Sequence, residues 1–209
     1  VPFISKVIDI PLAKIASQLA VGKKLDKKLI NNTLQTGLIA VKKPVFPFNK
    51  FPKQNIFLSP EMKSTGEVIG FDTYLGSAYA KAELGAGNFL PISGAVFISV
   101  NNIDKIKSVT LARDFKELGF QIIATDGTAK LLSENGIITN KIFKVGEGRP
   151  NIVDAIKNGE IQLVINTPLG AQSRFDEYEI GRSAIQYKIP TITTISGAQA
   201  AIRGIRNIK

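Results

Sequence analysis

Residues 122–132 read IIATDGTAKLL. They begin as a β-branched and aliphatic run, pass through Thr125, Asp126, Gly127 and Thr128, and leave with the apolar spacing of a helix. A strand that turns through a glycine and two hydroxyls into a helix start has backbone N–H groups free to meet an anion. The same rhythm repeats on either side. Strand-like runs lie at 95–100 (AVFISV), 120–125 (FQIIAT), 141–145 (KIFKV), 161–167 (IQLVINT) and 190–195 (PTITTI). Helical spacing fills 105–119, 127–136, 150–159 and 178–188, and several of these segments end in Gly, where a C-cap belongs. Hydrophobic strands alternating with such helices predict an α/β fold, a five-stranded parallel Rossmann-like sheet with helices on both faces.

Ligands of such sheets sit beyond the carboxyl ends of the strands. The first strand ends at Ser99, with Lys105 opening the next helix; the second ends at Thr125, followed by Gly127 and Thr128. The third carries Lys144, the fourth ends at Asn166-Thr167, and the fifth carries Thr193 and Thr194. Two ammonium groups, several hydroxyls and a helix start suit a phosphate, and Asn166 with Thr167 could read a base or ribose. Each also has a plainer reading. A Thr or Asn at a strand–helix turn can serve only as an N-cap, and a surface lysine can be merely solvated. Asp126 and Asp176 lie near the edge, but their spacing suggests no metal site and no acidic pair accompanies the hydroxyls.

The composition narrows the chemistry. The chain of 209 residues has no cysteine and no histidine, which removes disulfides, thiolate metal sites, His ligands and His-based nucleophile activation. No apolar run approaches the roughly 18 residues of a membrane span, and the first residues do not read as a signal peptide, so a soluble, cytoplasmic protein is expected. The net charge is +10, with 12 Lys/Arg against 6 Asp/Glu in residues 1–84 and 15 against 11 beyond. A basic balance fits an anionic ligand or an acidic partner. The densest cluster, KKLDKK (23–28), reads as a solvated helix end or linker, and the aromatics that RNA binding needs are gathered among prolines in FPFNKF (46–51). Nucleic acid is therefore a weak reading.

Residues 1–84 have a different texture. IPLAKIASQLAVG reads as a helix with Pro11 in its first turn, Gly22 past its end, and Leu12, Ile15, Ala16 and Leu19 on one face. GLIAVKKPVFPFNKFP looks extended, with prolines that rule out a regular central strand. FDTYLGSAYAKAEL reads as a second helix, capped by Asp72. No closed core is evident in this half, and the Gly-rich LGAGNFLPISG (84–94) marks a boundary.

Several of these stretches, ATDGTAKLL, KVGEGRPNIVDAIKNGEIQLVINTPLG, GRSAIQYKIPTITT, VPFISK, VFPFNKFP and PEMKSTGEVIGFD, together resemble the large subunit of carbamoyl phosphate synthetase. The resemblance runs from residue 1 to the end and implies two parts. Residues 1–85 would be the mostly helical remnant of the second ATP-grasp unit, and residues 86–209 a methylglyoxal-synthase-like regulatory domain. In the family VPF-SK follows the Glu, Asn and Arg that hold Mg-ATP, so this C-terminal piece should carry no catalytic residue, no metal and no cofactor of its own. The parent enzyme uses ATP with Mg or Mn. Its partners would be the rest of the large subunit and the glutamine amidotransferase small subunit, with self-association left open, in pyrimidine and arginine biosynthesis.

The resemblance also implies roles for residues. A nucleotide effector of the UMP or IMP type would bind at Ser99, Lys105, Thr125, Gly127, Thr128, Lys144, Asn166, Thr167 and Gly170. One position departs, because Pro168 stands where the family often has a second Thr, which bears on effector identity. Ornithine, an activator in some members, would meet Thr193, but Lys43 replaces an acidic residue there. Like charges in that place predict weak or absent ornithine activation. Methylglyoxal synthase itself relies on aspartates with histidines close by. The matching positions here are Pro150 and Thr167, so a stand-alone lyase is the alternative, and a purely structural docking module a third.

Overall fold

The computed structural model describes residues 2–26, 37–51, 56, 60–167 and 174–209. Lys27, Lys28, Pro168 and Gly170 lie outside them. The first described elements are helices α1 (Pro2–Ile8) and α2 (Leu12–Ala20), strands β1 (Ile39–Val45) and β2 (Gly66–Asp72), and helix α3 (Leu75–Gly85). There follow β3 (Ala95–Val100), α4 (Lys105–Glu117), β4 (Gln121–Ala124), α5 (Asp126–Glu134), β5 (Asn140–Lys141), α6 (Ile152–Lys157), β6 (Leu163–Thr167), α7 (Arg174–Gln186), β7 (Thr191–Ile192) and α8 (Ile195–Ile208).

β3 to β7 form one all-parallel sheet in the order β5-β4-β3-β6-β7. β3 is its centre, and its alternation divides two cores. Val96, Ile98 and Val100 point to one face with Leu111 and Phe115 of α4, Leu132 of α5, and Ile202 and Ile205 of α8. Ala95 and Phe97 point to the other, with Ile152 and Ile156 of α6 and Ile180 of α7. Each fully buried Phe or Leu stabilises the fold by about 1.5–3 kcal/mol relative to exposure. The expected five-stranded, doubly covered α/β sheet is the one observed.

Several details differ. The strand expected at 141–145 is only Asn140–Lys141, after which Phe143 makes an isolated bridge to Asn151. As an edge strand it has a neighbour on one side only, and Phe143 leaves the sheet to pack against Gly148, where a Cβ would lie 3.1 Å from its ring. The strand expected at 190–195 stops at Ile192, because Thr194 accepts a hydrogen bond from Gly197 N (3.1 Å) and starts α8, a helix absent from the sequence reading. Its signal was there: Thr194 as cap, then Ala198, Ala201, Ile202 and Ile205 at helical spacing, all buried.

In the first part, β1 and β2 pair antiparallel as a two-stranded sheet, so Pro44 stands in an edge strand, where its missing N–H is tolerated. β2 and α1 were not anticipated. Asp72 is the last residue of β2 and not a cap of α3; its Oδ1 accepts from Tyr74 N (3.1 Å) and its Oδ2 meets Lys81 Nζ at 2.8 Å. Tyr74, one residue before α3, makes no side-chain cap bond. Among the described residues up to 84, the buried hydrophobics are Ile10, Ala78 and Ala82, and α1 and α2 bury none of theirs. Among the described residues the apolar face of α2 is therefore only partly covered, with Leu12 and Ile15 half-buried and Leu19 exposed.

α3 joins the two parts. It lies on β2 where Gly70 has no side chain: a Cβ there would fall 2.1 Å from the Ala78 carbonyl oxygen and 2.6 Å from Ala82 N. It lies on α8 through Gly76 and Gly204, where a Cβ at Gly76 would come within 2.6 Å of the Arg203 carbonyl. Gly70→Ala should therefore overpack this joint and lower stability by about 1–3 kcal/mol. Gly66→Ala, in the same strand with nothing within 4 Å, serves as the control, expected to change stability by less than about 0.5 kcal/mol. Thermal unfolding of both variants checks this, and equal melting temperatures would refute it.

Candidate functional site

β3 is the strand at which the sheet order reverses: β4 and β5 lie on one side of it, β6 and β7 on the other. The connections leave β3 and β6 in opposite directions, and a crevice opens beyond their carboxyl ends. It is a cleft of about 570 Å³. Ser99, Lys105, Thr125, Gly127, Thr128, Lys144, Asn166 and Thr167 all line it. The sequence-derived set is thus brought together, apart from Gly170, which lies outside the described residues.

The helix start at Thr125 is the floor. Thr125 is extended (φ −72°, ψ 158°), 4% exposed, and makes no side-chain cap bond to α5. Its hydroxyl lies 3.5 Å from the Ser99 hydroxyl. The N-cap role that a Thr at this turn could have played is unused. Thr128 N and Ala129 N both turn back to the Thr125 carbonyl, which leaves the amides of Asp126 and Gly127 without a partner among the described residues. Lys105, the first residue of α4, sits over this turn: a Cβ on Gly127 would be 3.4 Å from Lys105 Nζ. Across the cleft Lys144 makes a loose pair with Glu147 at 3.8 Å, both side chains about half exposed, an interaction worth little. Lys105, Lys144 and Gly127 thus line one cleft.

The far wall is β6. The Thr167 hydroxyl accepts from Asn101 Nδ2 (3.0 Å) and, at 3.3 Å, from Asn101 N. Asn101 Oδ1 in turn accepts from Ile103 N (2.8 Å) and Asp104 N (3.1 Å), which builds the entry to α4. Asn101 was missed in the sequence, although the NNID run before a helix is an Asx-turn signal. Asp176 and Glu177, in the first turn of α7, also line the cleft, so carboxylates do accompany the hydroxyls. Their place across the sheet could not be read from spacing. Burial pushes the Asp176 carboxyl above its ordinary value; Lys144 opposes the shift and Glu147 adds to it. Asp126 is exposed and pairs with Lys141, whose hydrogen bond holds the carboxyl below its usual range.

The other named residues lie apart. Thr193 lines a second cavity of about 540 Å³, with Thr194, Ser196 and Lys107; it shares Asn101 and Thr167 with the cleft. Lys43 is not in its lining but is paired with Glu83 at 2.5 Å. Pro150 precedes Asn151, whose side chain and Asp154 form a capping box on α6. Among the described residues no cluster of three or more acidic side chains is placed to hold a metal, and no helix is long and apolar enough to cross a membrane.

Residues 107–193 match the family model of the MGS-like domain, which is the class that the sheet and cleft define. The similarity extends further. Carbamoyl phosphate synthase large chains of Acidobacterium capsulatum and Archaeoglobus fulgidus are 54% and 53% identical to it over 98% and 100% of the chain. The C-terminal section of the large chain from Aquifex aeolicus is 46% identical over the whole chain. The chain belongs to the carbamoyl phosphate synthase large-chain family. It spans 19% and 20% of the first two relatives and 42% of the third.

An acid whose folded-state pKa is raised costs stability as pH rises above its unfolded value, near 3.9 for Asp. Asp176→Asn should therefore melt higher than the unmodified chain at pH 7, and the difference should disappear toward pH 3. Thermal unfolding across that range checks this, and a difference that does not change with pH would refute it.

Proposed function

We propose that the chain is the allosteric part of a carbamoyl phosphate synthase large chain, and that the cleft beyond β3 and β6 takes a nucleotide effector of the UMP or IMP type. The observation that carries this reading is the convergence of Lys105 and Lys144 on the uncapped start of α5. The effector phosphate would sit on the amides of Asp126 and Gly127, with the Thr125 and Thr128 hydroxyls beside it. Asn166 and Thr167 would orient the sugar or base. Residues 1–85 would be the end of the ATP-grasp unit that makes carbamoyl phosphate, and residues 86–209 the regulatory domain.

Effector binding would tune ATP-dependent synthesis from bicarbonate and glutamine-derived ammonia, for pyrimidine and arginine biosynthesis. A coupling of this kind is typically worth about 1–3 kcal/mol. The remaining large chain and the amidotransferase subunit would be the partners, and the partly covered α2 face would dock on the former.

One observation favours a second reading. Asp176, a carboxyl with a raised pKa, lies in the phosphate cleft and is a candidate base for a lyase of the methylglyoxal synthase type. Against it stand the absence of histidine and the presence of Pro150 and Thr167 where that enzyme has aspartates.

Calorimetry of the chain against UMP, IMP, phosphoribosyl pyrophosphate and ornithine separates the readings. A nucleotide should bind, more weakly as salt is added. Lys144→Ala and Thr128→Ala should each weaken it by roughly tenfold or more, the loss of a charge-assisted or buried hydrogen bond. Ornithine should give no heat. Indifference to every nucleotide would leave only the docking role, and methylglyoxal released from dihydroxyacetone phosphate, lost in Asp176→Asn, would establish the lyase.

A further inference from the structure

Glu83, on α3, is the one buried charged residue among the described residues, its side chain 3% exposed. Donors from two places converge on it. Lys43 Nζ, from β1, lies 2.5 Å from Oε1, and Asn88 Nδ2, from the loop after α3, lies 2.9 Å from Oε2. The phenol of Tyr79, one turn earlier on α3, stands beside the same carboxylate. Burial first, and then the Glu83 charge, raise the Tyr79 phenol above its ordinary value, so it stays neutral. A neutral donor such as Asn88 can hold a carboxylate in place but cannot balance its charge. An ionised carboxylate buried without a cation is strongly destabilising, so the position at Oε1 is the one that a cation fills.

The approach to that position is shaped for an alkylammonium. Lys43 pairs across the strands with Val68, whose side chain faces Gly85 of α3, where a Cβ would lie 3.4 Å from it. The lysine stem shares that side of the strands, and its side chain is 27% exposed, so the position is reachable from solvent. We propose that Glu83, Tyr79 and Asn88 form a built site for a primary ammonium, which this chain fills from within by Lys43. The joint between the two-stranded sheet and α3 is thereby closed with no external cation. The inference does not depend on the effector reading.

Lys43→Ala deletes the atoms of n-propylammonium beyond Cβ, which makes the site testable by replacement. The variant should melt lower than the unmodified chain, by on the order of 10 °C. n-Propylammonium chloride should recover at least half of that loss in a saturable way, and tetramethylammonium chloride at equal ionic strength should not, having no N–H to donate. Neither the unmodified chain nor Lys43→Ala/Glu83→Gln should respond to n-propylammonium. If Lys43→Ala does not accumulate folded, its refolding yield with and without the two salts gives the same reading, with Glu83→Gln as the folded, unresponsive control. An equal response to both cations, a response that survives Glu83→Gln, or a Lys43→Ala variant as stable as the unmodified chain would overturn the proposal.

Discussion

β3 is hydrogen-bonded to a parallel neighbour along each edge and covered by helices on each face, and the rest of the molecule takes its place from that double confinement. A strand in this position tolerates no polar side chain until it emerges. From Ala95 to Ile98 every residue is buried and apolar, and the first hydroxyl, Ser99, comes at the exit. β4 and β6 are held in register to it, so Thr125 and Asn166-Thr167 emerge at the same level. The location of the cleft is thus a product of packing. Its chemistry is not, because the residues at the exits are freed from the core and can be chosen for what they bind.

The helix starts around the sheet show that choice. α6 is closed by its own residues, with Asn151 accepting from Val153 N and Asp154 N, and α8 by Thr194 accepting from Gly197 N. α4 has no side-chain cap from Asp104, and Asn101 orders only the turn before it, accepting from Ile103 N and Asp104 N. α5 has a threonine in the capping position and does not use it. The orphan amides of a first turn are satisfied by a side chain, by water or by a ligand. Here Gly127 lines one cleft with Lys105 and Lys144, which would repel any cation and favour an anion, so the first turn of α5 and the two lysines ask for the same partner.

The central sheet was legible because β3, β4 and β6 are apolar runs with glycines closing the helices between them. Elements that depend on partners were less so. β5 has two residues, and nothing in KIFKV says that Phe143 would leave the sheet for Gly148. β2 reads as GEVIGFD, too polar and too Gly-rich to declare itself without β1 beside it. The cleft was legible where a strand end supplies the side chain, at Ser99, Thr125, Asn166 and Thr167. Asn101 and Asp176 reach it from turns and helix faces whose direction only tertiary packing sets.

The glycines decide how the two parts can move. Side chains in contact can change rotamer and absorb a small displacement, whereas backbone pressed on backbone cannot. Gly70 brings α3 against β2, and Gly76 with Gly204 brings it against α8, so at these points backbone meets backbone on both sides of α3. The first turn of α8, from Thr194 to Ser196, lines the cavity that shares Asn101 and Thr167 with the cleft. α8 is therefore a rigid rod with one end at the shared wall of the two cavities and its length against α3. A shift of that rod would press first on these glycine contacts, which couples it to α3 and through α3 to the two-stranded sheet.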